Sequence, residues 1–202
     1  GPLATFLPLL PLAEHFQAEN PGIPAPTYGV GDEVPMAGYT FRLDEVIAYD
    51  GITTSVDGVV GAETKAMKEP GAKALVMVWS IRNDGPMARK KEDVSTRLWT
   101  TDGVSRDGLF HHKRVLLEST DFEKLPAKLP PREWVQTVYV WQVDEDSIDG
   151  AAWRIHHATK EFDPTDRSGR RKITVLHQQA IVDIGTPADG GPFHPRERDG
   201  AR

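Results

Sequence analysis

Ala72-Lys73-Ala74-Leu75-Val76-Met77-Val78-Trp79-Ser80-Ile81-Arg82, closed at once by Asn83-Asp84-Gly85-Pro86, is the stretch on which the fold turns. An apolar run this short, rich in Val and ended by turn residues, reads as a strand. Because both alternate sets of side chains are mostly apolar, it reads as a central strand buried on both faces. Working outward, Trp134 to Val143 (WVQTVYVWQV) is equally strand-like, with Val135, Tyr139, Trp141 and Val143 on one face and Thr137 between them. Lys172 to Ile184 is a further long strand. Upstream, Tyr39, Phe41 and Leu43 alternate with Thr40, Arg42 and Asp44, the period of a half-buried strand. After Asp44-Glu45 the apolar phase shifts to Val46-Ile47, which predicts a bulge. Val94 to Thr100, Arg114 to Glu118 and Ala152 to His157 are shorter strand candidates. Turn signals stand at Asp50-Gly51, Asp102-Gly103, Asp107-Gly108, Asp149-Gly150 and Ser168-Gly169. No segment holds a helical period for long; Glu14 to Ala18 is the best short candidate. Many strands between turns predict an all-β antiparallel sandwich or barrel.

The composition excludes more than it identifies. A length of 202 residues allows one domain or two. With no cysteine, the chain has no disulfide scaffold, thiol nucleophile, thiolate zinc site or iron–sulfur centre. A net charge of −6 argues against general nucleic-acid binding. That charge is uneven: residues 1–72 carry 3 Lys+Arg against 10 Asp+Glu, whereas residues 153–202 carry 9 against 7.

The body is expected over residues 27–186. Residues 1–26 read as an apolar arm followed by a Pro-rich spacer. Gly1-Pro2, in place of an initiator Met, reads as the scar of a removed tag. Leu3 to Leu12, interrupted by Pro8 and Pro11, is too short to cross a bilayer. It reads either as the outer end of a membrane or signal segment, or as an arm that packs on the domain or on a second copy of the chain. Asn20 to Pro26 has three prolines and reads as a stiff spacer. Residues 187–202, mostly Pro, Gly and charge, read as a flexible tail.

Several stretches in order resemble one family. Gly29-Val30-Gly31-Asp32-Glu33-Val34, then Gly38-Tyr39-Thr40-Phe41-Arg42-Leu43 with Val46, resembles the opening of the immunoglobulin-like domains called DUF4352. The strand Ala74 to Arg82 before Asn83-Asp84-Gly85 is similar to their strand ending in N-x-G. Leu129-Pro130-Pro131-Arg132-Glu133 before Trp134 is similar to their L-x-P-G-E, with Pro131 in place of Gly. Asp144-Glu145-Asp146 leading into Ala152 to Ile155 is similar to their closing hairpin. The resemblance spans residues 28–157; the stretch 103–128 and the strand from Lys172 lie beyond it. It implies an immunoglobulin-like β-sandwich, like that of secreted mycobacterial antigens of the MPT63 type. It also implies a bacterial, extracytoplasmic, membrane-anchored or secreted domain, generally non-enzymatic and mostly of unknown function. The strand pattern, the missing catalytic motifs, the apolar start and the Pro-rich spacer add the expectation of a protein partner in the cell envelope and no cofactor. It transfers no site residue.

Candidate chemistry is sparse. His111-His112 and His156-His157 are adjacent pairs. Neighbours on a strand face opposite ways, so one pair cannot chelate one ion; a metal site needs one His from each, with His177. Asp144 to Gly150 has calcium-loop composition in the wrong register. Ser105 lacks the second Gly of a nucleophile elbow, and no phosphate-binding Gly motif is present. Arg167-Ser168-Gly169-Arg170-Arg171-Lys172 is the basic cluster, suited to a phosphate, a glycan acid or an acidic partner. Trp79 and Trp141 belong to the core, while Trp99, Trp134 and Trp153 near strand ends are candidates for an aromatic binding patch. The expectation is therefore a non-catalytic interaction domain. The alternatives are a carrier of a small molecule, glycan or lipid with a cavity lined by Trp and Tyr, a His-dependent hydrolase, and a self-association module using residues 3–12.

Overall fold

A computed structural model describes residues 12–52, 71–101, 103, 105–106 and 124–193. Over these the protein is an all-β sandwich with one α-helix, α1 (Leu12–Glu19), and a short 3-10 turn at Glu145–Ser147. The strands are β1 (Thr27–Tyr28), β2 (Glu33–Met36), β3 (Tyr39–Ile52), β4 (Ala72–Asn83), β5 (Val94–Trp99), β6 (Ser105–Arg106), β7 (Trp134–Asp144), β8 (Ala152–Phe162), β9 (Lys172–Asp183) and β10 (Ala188–Phe193). The front sheet has the order β1-β9-β8-β5-β6; the back sheet has β10-β3-β4-β7, with β2 also on β3. The predicted strand Arg114–Glu118 and the turn Asp107-Gly108 lie outside the described residues.

β4 is the central strand its sequence predicts. It pairs with β7 without a break from Ala72↔Asp144 to Arg82↔Trp134. Leu75, Met77, Trp79 and Ile81 face the front sheet, and Ala74, Val76, Val78 and Ser80 face away. All of them are buried, none more than 4% exposed. In β3 the register skips Asp44, between Leu43↔Trp79 and Glu45↔Val78, so the predicted bulge is present. β2 runs antiparallel along Tyr39 to Arg42, and β10 runs parallel to Ile47 through Ile52. The two short strands thus share one edge of β3 on either side of its bulge.

Between the sheets, Phe41 stacks on Trp79 at 5.9 Å, Trp79 on Tyr139 at 5.0 Å, and Trp153 meets Phe41 edge-on at 6.1 Å. Large rings fill an inter-sheet space well, each burying about 150–250 Å². Asn83, fully buried, fixes the corner after β4. Its Nδ2 donates to the carbonyls of Met87 and Leu129, and its Oδ1 accepts from the Gly85 amide. This is the physical content of the N-x-G signal.

Two expectations about the ends change. Residues 20–26 are not a detached spacer. Phe16 of α1 is buried with Ala25, Ala152 and Ile181; the Ile23 carbonyl accepts from Gln179 Nε2, and the Pro26 carbonyl from the Ile181 amide. Proline lacks a donor but keeps its acceptor, so the segment lies along the front sheet. Likewise, residues 188–193 of the expected tail form β10. A Cβ on Gly190 would lie 2.4 Å from the Tyr49 ring, so glycine lets this strand close on β3. Pro192 is tolerated because β10 is an edge strand. Among the described residues no helix is long and apolar enough to cross a membrane.

Candidate functional site

A cleft of about 520 Å³ opens at one end of the sandwich, lined by Ala37, Arg89, Lys90, Glu92, Asp93 and His157. Three pieces of chain build it: the β2–β3 turn, the segment before β5, and β8. Gln178 holds the turn against β9, its Oε1 accepting from the Ala37 amide and its Nε2 donating to the Pro35 carbonyl. Arg89 braces the same turn. Its Nη2 donates to the Ala37 carbonyl, its Nε donates to the Tyr39 hydroxyl at 2.7 Å, and its guanidinium lies 4.0 Å over the Tyr39 ring. Tyr39 passes a hydrogen bond on to the Lys90 carbonyl. The third wall is tied where the Ala158 amide donates to the Asp93 carbonyl.

The backbone here is under strain. Ala37 and Asp93 have φ of 50° and 58°, a left-handed conformation that non-glycine residues adopt at a cost of about 1–3 kcal/mol. Beside the cleft, the β8–β9 register skips His177 between His157↔Gln178 and Ala158↔Leu176. This bulge brings the His177 ring to 5.1 Å from that of His157. Positive-φ residues and bulges concentrate where a fold re-aims side chains for binding.

The site predicted from histidines assembles only in part. His157 faces the cleft with His177 alongside. His156 lies on the opposite face of β8, as alternation requires, and His111 and His112 lie outside the described residues. Burial, then the charges of Arg154, Arg97 and Lys91, push His156 down to about 4. Among the described residues no three His, Asp or Glu side chains converge to hold a metal ion. Thr159, His177 and Glu161 have the composition of a hydroxyl–imidazole–carboxylate relay but not its geometry. Thr159 Oγ1 and Glu161 Oε1 both approach the same ring nitrogen, Nε2, at 2.6 and 3.7 Å. A relay needs the carboxylate on the other nitrogen.

The tryptophan candidates do not form one patch. Trp153 is wholly buried in the core, where its indole N–H has no acceptor among the described residues. Trp99 is covered by α1, its ring meeting Phe16 at 4.8 Å. Trp134 lies on the outer face of the back sheet under two guanidiniums, Arg42 at 4.3 Å and Arg82 at 4.7 Å. Asp44, freed by the bulge, accepts from Arg42, Ser80 and Gln136. Burial pushes the Asp84 carboxyl up, but hydrogen bonds from Thr40 and Arg82 outweigh it and hold Asp84 below its usual range. That network satisfies itself. Arg167, Arg170 and Arg171 sit at the tip of the β8–β9 hairpin, on the other side of the bulge from the body. The sequence reading missed Ala37, Asp93 and Gln178; the charged run Arg89-Lys90-Lys91-Glu92-Asp93 is the signal that points to this wall.

No family model matches the chain, that expected from the DUF4352 resemblance included, and no curated protein is similar to it. Solved structures are similar to it at low identity. A conserved hypothetical protein from Bacillus anthracis is 15% identical with a TM-score of 0.48, the likeness covering 63% of this chain and 87% of that one. The yjhA protein from Bacillus subtilis is 13% identical with a TM-score of 0.46, covering 77% and 99%. An uncharacterized beta-sandwich protein from Clostridium difficile 630 is 7% identical with a TM-score of 0.42, covering 80% and 95%.

Proposed function

We propose that the chain is a non-catalytic binding domain of the immunoglobulin-like, DUF4352-like kind. In this reading it works outside the bacterial cytoplasm, tethered through an N-terminal segment, as an accessory subunit of a cell-envelope protein assembly. The observation that carries the binding role is the cleft. It is large enough for a partner's side chains, lined by Lys90, Glu92, Asp93 and His157, and braced by Gln178 and Arg89. Its charges suit polar contact with a protein. The carrier alternative fits less well, because the inter-sheet space is occupied by Phe41, Trp79, Tyr139 and Trp153 and the cleft is lined by charge rather than by Trp and Tyr. The Thr159–His177–Glu161 geometry speaks against the hydrolase alternative.

Site-specific photo-crosslinking in native envelope membranes tests this. A photoreactive residue at position 90 should trap a discrete protein partner, and Asp93→Lys should abolish the adduct while the protein stays folded. No adduct at position 90, or one unchanged by Asp93→Lys, overturns the proposal.

A further inference from the structure

Beyond the bulge at His177, the β8–β9 hairpin leaves the body of the sandwich. β5 pairs with β8 only as far as His157, and β1 pairs with β9 only at Ile181 and Val182. The pairs Ala158↔Leu176 through Phe162↔Lys172 have no third strand beside them among the described residues. The result is a projecting ribbon whose turn carries Arg167, Arg170 and Arg171, all exposed. Residues 161–172 carry four Lys+Arg against three Asp+Glu, and three of the four basic side chains are arginines gathered within 167–171.

The turn sorts its charges. Asp163 points inward and accepts from the amide and hydroxyl of Thr165. Asp166 also points inward, accepting from the amides of Ser168, Arg170 and Arg171 and from the Ser168 hydroxyl. Glu161 lies further down the ribbon with Thr159 and His177. Lys172 lies back over the Phe162 ring at 5.2 Å. The carboxylates thus serve as ties of the turn, and the guanidiniums are left outside. Arg171 Nε comes no closer than 3.6 Å to Asp163, and Arg167 and Arg170 have no acid partner among the described residues.

We propose that this turn is a binding site for a phosphate-bearing polyanion, gripped by Arg167, Arg170 and Arg171. Two chemical arguments select that class. A carboxylate is planar and offers one edge to a guanidinium fork, whereas a tetrahedral phosphate offers several, so clustered arginines can share it. Among the described residues the tip is also exposed, with Arg167, Arg170 and Arg171 in contact with water. A single exposed ion pair contributes little there, and binding accumulates only along a ligand that repeats its charge. An acidic protein surface needs roughly 800 Å² of contact per partner, which a hairpin tip does not supply.

The test is binding of the full chain to fluorescently labelled long-chain polyphosphate by anisotropy, at low and at moderate salt. The protein should bind with an affinity that falls steeply with salt. The R167E/R170E/R171E variant should bind about tenfold or more weakly, with most of the salt dependence gone, and with an unchanged melting temperature. If charge reversal lowers the melting temperature, R167Q/R170Q/R171Q provides the same comparison. Absence of binding, equal binding by the variant, or tighter binding to poly-glutamate or to phosphatidylglycerol vesicles than to polyphosphate overturns the proposal.

Discussion

The centre of this sandwich and its cleft end are crossed by the same strands, β3 and β8, yet they solve opposite problems. At the centre, Phe41 on β3 and Trp153 on β8 pack against Trp79, all three rings wholly buried. The indole N–H groups of Trp79 and Trp153 have no acceptor among the described residues, so dense packing there outweighs hydrogen bonding. A few residues on, β3 begins with a turn held by Gln178 and Arg89, β8 presents His157 instead of an apolar ring, and a charged opening results. Two strands of regular pairing, Tyr39 to Phe41 and Trp153 to His157, can therefore supply stability at one level and a binding surface at the next.

The largest test of that contrast is at the centre. Trp153→Ala should cost about 3–5 kcal/mol in urea unfolding, because a wholly buried ring leaves a cavity its neighbours cannot close. Lys90→Ala, at the cleft, should fall within about 0.5 kcal/mol of the parent. A cost below about 1 kcal/mol for Trp153→Ala would mean that the centre is not sealed. A smaller effect separates the two sides of β8. The folded pKa of His156 is about 4, below the ordinary 6.5, so the unfolded chain takes up this proton first. The stability tied to neutral His156 is complete above pH 6.5 and is lost as pH falls towards 4. Discounted for the part of the ring that water reaches, the loss is about 1–2 kcal/mol. His156→Gln should flatten the stability profile over that window; a profile unchanged by the substitution would show that the outer face does not bury the ring. The smallest effect has the opposite sign. Ala37→Gly relieves a φ of 50° and should stabilise the protein by about 0.5 kcal/mol, the relief being partly offset by the greater freedom of Gly in the unfolded chain. A loss of stability instead would remove strain from the description of the cleft.

The fold was legible wherever one residue's character reports its own surroundings. The unbroken apolar run of β4, the face shared by Val135, Tyr139, Trp141 and Val143, and the phase shift at Asp44 each carry their meaning locally. β10 is not legible, because its sequence is that of a loop and only the distant Tyr49 and Ile47 side chains explain Gly190. The cleft was less legible still. Ala37 and Gln178 are unremarkable letters 141 positions apart, and nothing local says that one clamps the other. The tryptophans were over-read for the same reason: position near a strand end does not say whether α1 or the opposite sheet covers it. The basic cluster Arg167 to Lys172 depends only on neighbours in sequence and is legible as a cluster, whatever it binds.

β1 and β10, the short strands near the two ends of the described chain, both run parallel to longer partners, β9 and β3. Traction applied at the two ends of such a pair acts from opposite directions along the strands. It enters β1 from the Thr27 side while β9 is drawn from the Asp183 side; it enters β3 from the Tyr39 side while β10 is drawn from the Phe193 side. The hydrogen bonds of each pair are then loaded together in shear rather than peeled one after another. The lacing that closes the edges of the sandwich thereby also makes it a mechanical clamp against tension along the chain.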